Sequence, residues 1–400
     1  MRVIQINTRD IIGGAAIAAS RIHKGLMSLG IESKMLVDIK ACLNDPSIES
    51  LSYGLSSKVR ARIDFFPLRF LKNKARSISW VKSKILRKIM EVHPDVVHLH
   101  WVNNGFLAIE QIAQIDCPIV WTLHDMWVFS DSRHYVSEEE SPTYRSDLWI
   151  DRWVWNRKKR TYSKLKNLTI VTPSNWLAEC AKKSVLLKDH NIHVIANGID
   201  TEMYSPRDKH LLREKYAINE SSYMILFSGY DGVRDDRKGF HHLINAISLI
   251  KSVLPENVSL GVIGSNGPTD LDKLGFRTYY FGNIKDQEAM RDLYALSDLF
   301  VLPSTQDNLP NTVIEAMACG CPTVAFNVGG IPDMVDHLQN GYLAELRNEE
   351  DLAKGILWYF ESDDKATLSK KAREKVLKNF NITMQAQKYI DLYSAVLQQK

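Results

Sequence analysis

The sequence predicts an α/β protein built as two successive domains, and three observations carry this. Four hundred residues exceed one ordinary core and suit two or three. Short apolar runs that close on polar residues or proline alternate with helical patterns along the chain. The alternation then starts afresh at Met224–Ser228, after an interruption near Asn197–Pro206. Beyond these two halves there is no short-period repeat and no low-complexity segment.

The totals set the bounds. An apolar fraction of 45% and a charged fraction of 24% are those of a globular chain. A net charge of +4 does not by itself argue for nucleic acid. Five scattered cysteines (Cys42, Cys117, Cys180, Cys319, Cys321) point to a reducing, cytoplasmic setting. Cys319-Gly-Cys321 has no second ligand pair at metal spacing, so small buried residues are expected there and no metal site. No signal segment precedes the first strand, and no apolar run approaches the roughly 20 residues a membrane span needs.

In chain order, Val3–Asn7 reads as the first strand and Ile11–Leu29 as a loop entering an Ala-rich helix. Gly13–Gly14 stands at that junction, where absent side chains allow close backbone approach to a ligand. The spacing is not the G-x-G-x-x-G of dinucleotide folds, and a simple turn is its default reading. From Lys58 to Lys88 the chain carries eleven cations against Asp64 alone, net +10, which leaves −6 for the rest. Phe65, Phe66, Trp80 and other apolar residues interleave with them. A basic, aromatic, amphipathic stretch suits an anionic membrane surface better than nucleic acid; a solvated face is the plainer alternative.

Asp95–His100 and Pro118–His124 are buried strands whose polar ends face the ligand side of such a sheet. His124 opens the segment HDMWVFSDSRHY and is the main candidate for a catalytic histidine. His100 with Trp101 follows the preceding strand, and Trp127 belongs to a tryptophan-rich segment from Trp121 to Trp155. Aromatic faces can stack on sugar rings, although core packing accounts for most of these tryptophans. Thr169–Thr172 is a further strand, and Ser174 caps the helix after it.

The second half is richer. Gly229–Lys238 forms a charged loop before a helix at Gly239–Phe240, and Arg237 with Lys238 is placed to bind a diphosphate. Leu260–Ile263 and Tyr279–Phe281 are strands. Leu299–Pro303 is another, followed by a helix with Pro310 at its first position, capped by Asn308 or Leu309 and ending near Cys319. Gly320 suits the left-handed position after it. Asp307 lies in the loop and Glu315 one to two turns into the helix, so their carboxylates can accept hydrogen bonds from hydroxyls of a sugar and a ribose. The loop of Asn308, Leu309, Pro310 and Asn311 with the helix start, through the backbone N–H groups of all but Pro310, can hold an anion. A last amphipathic helix runs from about Thr383 to Leu397.

Asp307-x7-Glu315 followed by AMACGCPTVAFNVGGIPDMV resembles the E-x7-E signature of the retaining GT4 glycosyltransferases, which have the GT-B fold. Asp replaces the usual first Glu, and Tyr230 stands where an Arg is common. NGID in Asn197–Asp200 resembles the family's interdomain connection, and HDMW-x-F-x4-HY a subgroup from bacterial polysaccharide gene clusters. That subgroup's cysteine cluster is missing here, so no metal-stabilised loop is carried over.

The resemblance implies two facing Rossmann-like doubly wound domains, 1–198 binding acceptor and 199–379 binding nucleotide-sugar, with a helix from about 380 to 400 crossing back to the first. It implies a UDP- or GDP-sugar donor and no cofactor. Glu315 would hold the ribose, Asp307 the donor sugar, Arg237 and Lys238 the diphosphate, and Ile284 the base. His124 and the Gly13–Gly14 loop would complete the site, with His100, Trp101 and Trp127 near the acceptor. The acceptor implied is a glycan or lipid-linked oligosaccharide at the cytoplasmic face of a bacterial inner membrane, in O-antigen, capsule or exopolysaccharide assembly. A nucleotide-sugar epimerase and a non-catalytic membrane-bound scaffold of the same fold are the rival readings.

Overall fold

The computed structural model describes residues 1–398 except 43, 52–54, 70, 72–75, 137–145, 147 and 230–234. The chain divides into two compact units, Met1–Gly198 with Ile382–Lys400, and Ile199–Asn381.

The first unit holds seven strands: β1 (Arg2–Arg9), β2 (Glu32–Ile39), β3 (Ile48–Ser50), β4 (Val96–Leu99), β5 (Ile119–Thr122), β6 (Leu168–Thr172) and β7 (Asn191–Val194). They form one parallel sheet in the order β3-β2-β1-β4-β5-β6-β7. The second unit repeats the plan with β8 (Tyr223–Ser228), β9 (Val258–Ile263), β10 (Arg277–Gly282), β11 (Leu299–Leu302), β12 (Thr323–Phe326) and β13 (Gly341–Ala344). Its parallel order is β10-β9-β8-β11-β12-β13. Both sheets are therefore doubly wound. The order reverses between β1 and β4 in one and between β8 and β11 in the other, and at these points the loops diverge to leave a crevice.

The central strands are buried along their whole length, as parallel strands covered on both faces must be. That is why they read in the sequence as unbroken apolar runs. The helix Ile382–Gln398 closes one face of the first sheet, with Ala386, Tyr389 and Tyr393 against Val3, Val96, Val120 and Val171.

Two local expectations change. Pro310 is the cap rather than the first residue of its helix, which spans Asn311–Ala318; its ψ of 117° is extended. The basic stretch is not one helix, because Pro67 follows Phe66 and the described residues 69, 71 and 76–84 are not helical. Leu55–Phe65 is a helix, Phe66–Leu68 a single tight turn, and Ile85–Val92 a second helix. Its Lys72 and Lys74 lie outside the described residues, as does Tyr230. Asp64, its one acid, is buried and accepts the backbone N–H groups of Ser79, Trp80 and Val81. Among the described residues no helix is long and apolar enough to cross a membrane.

Candidate functional site

The loops after β8 and β11 flank the switch point of the second unit, although 70 residues separate the strands along the chain. Three contacts weld these loops together. Thr305 donates its N–H to the Arg237 carbonyl at 2.8 Å. Lys238 Nζ donates to Asp307 Oδ2 at 2.6 Å. Gly239 lies so close to Pro303 that a Cβ would sit 1.9 Å from the Pro303 carbonyl oxygen.

Of the two adjacent cations, only Lys238 points at Asp307. Arg237 Nη2 donates to Asp235 at 2.7 Å. Asp307 is backed by Gly329, which has φ +59° and would place a Cβ 1.8 Å from the Asp307 carbonyl oxygen. Gly329 was legible in the sequence only as a turn; its contact with Asp307 is tertiary. Gly329→Ala should therefore displace Asp307 and lower sugar-nucleotide affinity at least about tenfold, measured by titration calorimetry. Unchanged affinity would show that the position of Asp307 is immaterial.

Beyond Asp307, Asn308 and Leu309 are buried, and the helix Asn311–Ala318 presents its first N–H groups at the same edge of the sheet. Glu315 is only 5% exposed. Its carboxylate raises the pKa of the buried Tyr294 hydroxyl, after burial itself, which is the larger cause. Ile284 is half-buried just past the carboxyl end of β10, an edge strand.

In the first unit, the residues after β4 and β5 form a continuous polar cluster. His100 Nε2 meets Gln5 Oε1 at 2.6 Å and His100 Nδ1 meets His124 Nε2 at 3.1 Å. His98 bridges Tyr393 and Thr122, each at 2.7 Å, and Thr122 meets Tyr389 at 2.8 Å. Burial holds His98 and His100 neutral, their pKa values well below the usual range, and takes His124 down to about 4.

Neutrality fixes the proton positions. The Gln5 oxygen only accepts, so His100 carries its proton on Nε2 and accepts on Nδ1. His124 must then donate from Nε2, which makes its Nδ1 the basic nitrogen. A neutral imidazole so arranged can accept a hydrogen bond or a proton from a hydroxyl.

Trp101 is positioned by Asn7, whose side-chain oxygen accepts its N–H at 2.8 Å, and by Asp125, which accepts its indole N–H at 3.1 Å. Its ring stacks on His134, with centroids 5.6 Å apart. Trp127 lies in the core instead, between Lys158, 3.8 Å from its ring centroid, and His134. Protein therefore occupies the Trp127 faces expected to stack on a sugar, and His134 covers one face of Trp101. His100 likewise is buried with both nitrogens engaged. The structure thus brings His100, Trp101 and His124 together but turns only part of the set outward. Gly13, with φ +95°, has open space where a Cβ would point, and Gly14 begins the helix Gly14–Ser28.

Asp125 was not predicted. It accepts from His134 Nδ1 at 2.6 Å and from the Trp127 N–H at 2.9 Å, and these partners, His134 first, outweigh burial and hold its pKa low. Gln5, Tyr389 and Tyr393 were also missed, since nothing in a strand residue or a C-terminal helix announces contact with histidines elsewhere. Among the described residues no group of three or more His, Cys, Asp or Glu is arranged to hold a metal ion.

Residues 12–203 match the model of Glycosyltransferase Family 4, and residues 208–376 that of Glycosyl transferases group 1. N-acetyl-alpha-D-glucosaminyl L-malate synthase of Bacillus anthracis is 26% identical over 52% of this chain, and the match spans 54% of that relative's length. UDP-Gal:alpha-D-GlcNAc-diphosphoundecaprenol alpha-1,3-galactosyltransferase of Escherichia coli is 24% identical over 81% of this chain and 82% of its own. Sucrose-phosphate synthase from Thermosynechococcus elongatus superposes with a TM-score of 0.73 at 20% identity, over 100% of both chains, which shows the fold. Two doubly wound domains, each half matched by a glycosyltransferase model, make this chain a member of glycosyltransferase family 4 with the GT-B fold.

Proposed function

We propose that the protein transfers a sugar from a UDP- or GDP-sugar to a lipid-linked glycan acceptor, with retention of anomeric configuration. The carrying observation is the 2.6 Å contact of Lys238 with Asp307 at the switch point of the second unit. A diphosphate there competes with Asp307 for the ammonium group. Asp307, released, accepts from hydroxyls of the donor sugar, while Lys238, Arg237 and the N–H groups at Asn308–Asn311 stabilise charge developing on the leaving nucleotide. Glu315 holds the ribose and the backbone at Ile284 the base.

Attack occurs on the face from which the nucleotide leaves, and a donor phosphate oxygen takes the acceptor's proton. His124 Nδ1 and the backbone at Gly13–Gly14 orient the donor sugar. No resident cofactor takes part. The acceptor class draws support from the Escherichia coli relative, whose name states a UDP-sugar donor and a lipid diphosphate acceptor. The protein then works at the cytoplasmic face of a bacterial inner membrane in O-antigen, capsule or exopolysaccharide assembly, held there by the basic stretch.

The test is thermal stabilisation by UDP-, GDP- and ADP-sugars, with Glu315→Gln and Lys238→Ala beside the wild type. A ligand at a hundred times its Kd stabilises by about 2.7 kcal/mol. Stabilisation by one nucleotide family, lost in both variants, supports the transferase site. No stabilisation at millimolar ligand with lipid present favours the scaffold, and conversion of the sugar nucleotide without acceptor favours the epimerase.

A further inference from the structure

Four cations of the basic stretch are spent inside the fold or on its surface acids. Arg60 pairs with Asp38 and Arg76 with Asp151; Lys88 lies 2.7 Å from Glu49, and Arg87 3.0 Å from Glu91. Arg9, Lys58 and Arg62 differ: among the described residues none of their side chains is ion-paired. All three line one groove of about 310 Å³ at the carboxyl ends of β1 and β2. Its one acid, Asp38, is buried and satisfied by Arg60 and Ser57. Three cations without an acidic partner among the described residues thus line one groove. It lies at the edge of the sheet that also carries His100 and His124.

Arg62 also lines a second groove, of about 270 Å³, completed by Ile63, Phe66 and Trp80. These three residues are 45%, 60% and 39% exposed and line the same groove, the contiguous apolar surface that marks interaction sites. The Trp80 ring is braced edge-on by Trp153 at 6.4 Å, and Arg157 stacks 4.7 Å from the Trp153 ring. One arginine thus joins a cationic groove to a preformed aromatic cleft.

We infer that these joined grooves bind a single amphiphile: its phosphate or diphosphate lies on Arg9, Lys58 and Arg62, and its hydrocarbon chain on Ile63, Phe66 and Trp80. The inference rests on the transferase reading for the role of that molecule as acceptor. It assigns recognition of the lipid to a shaped site rather than to diffuse attraction between a basic stretch and a membrane. Charge-assisted hydrogen bonds give the anion its hold, and the aromatic cleft selects the chain.

Farnesyl diphosphate is a water-soluble probe of both parts, to be titrated into the full-length protein by calorimetry beside inorganic diphosphate and farnesol. It should bind at least about tenfold more tightly than either half-probe, since each fills one groove. Arg62→Gln should weaken farnesyl diphosphate and inorganic diphosphate alike by about tenfold, whereas Trp80→Ala should weaken only the farnesyl compound. Thermal stabilisation by the sugar nucleotide should be unchanged in both variants, which shows that they fold. Equal affinity of wild type and variants, or no advantage of farnesyl diphosphate over inorganic diphosphate, overturns the site. So does binding to phosphatidylglycerol vesicles without binding of farnesyl diphosphate. If the probe binds as expected but no sugar nucleotide stabilises the wild type, the transferase reading fails and the groove stands.

Discussion

Lys238→Ala should lower kcat/KM for release of nucleoside diphosphate by about a hundred- to a thousandfold, the usual cost of losing one fixed charge from a transition state. The loss falls on turnover rather than on folding. Lys238 and Asp307 are partly exposed, with side chains 24% and 13% accessible, so solvent screens much of their attraction and either can be rehydrated. Asp307→Asn is the informative companion. It frees the Lys238 ammonium while keeping the shape of the side chain, so UDP or GDP alone should bind at least as well as to the wild type. Turnover should still fall, because the neutral amide is a weaker acceptor for the sugar hydroxyls. Equal losses of nucleotide binding in both variants would show that Asp307 serves only to hold Lys238.

Acid should unfold the protein well before its carboxylates titrate. His23 is buried between Ser33 and Ser47, and burial takes its pKa down to about 4, as it does for His124. His98 and His100 are held well below the usual range by the same cause. A histidine whose folded pKa lies below its unfolded value binds protons first in the unfolded chain as pH falls. Stability is complete above the unfolded pKa of 6.5 and declines as pH drops from there toward 4. At pH 4.5 the loss is roughly 2 to 3 kcal/mol each for His23 and His124. Melting temperatures followed from pH 7.5 to 4.5 should fall steadily below about pH 6.5. His23→Gln, which keeps polar contacts without a titrating group, should flatten part of that slope. A melting temperature constant down to pH 4.5 would mean that these histidines are charged in the folded protein.

The sheet was legible because parallel strands covered on both faces cannot alternate polar and apolar residues. Val96–Leu99, Ile119–Thr122 and Leu299–Leu302 had to appear as apolar runs. The helix after Asp307 was legible from its proline and its terminal Gly320, although the proline proved to be the cap. Strands such as Glu32–Ile39 and Gly341–Ala344 were not recognised; polar residues such as Glu32, Ser33 and Lys34 dilute the first, and the second is short.

The candidate site divided along a different line. Asp307, Lys238 and His124 were nameable because each sits beside local punctuation, a glycine, a proline or a strand end, and Glu315 because it stands eight residues after Asp307 in a pattern resembling E-x7-E. Local sequence by itself determined the fold class and the short list of polar residues at the strand ends, since backbone hydrogen bonding and burial act on neighbours along the chain. Only the tertiary structure decided which of them meet. Lys238 rather than Arg237 reaches Asp307, Gln5 sets the proton on His100, and Trp127 turns into the core over Lys158. Those outcomes depend on side chains from strands and loops far apart in the chain that only the packing within each unit brings into contact.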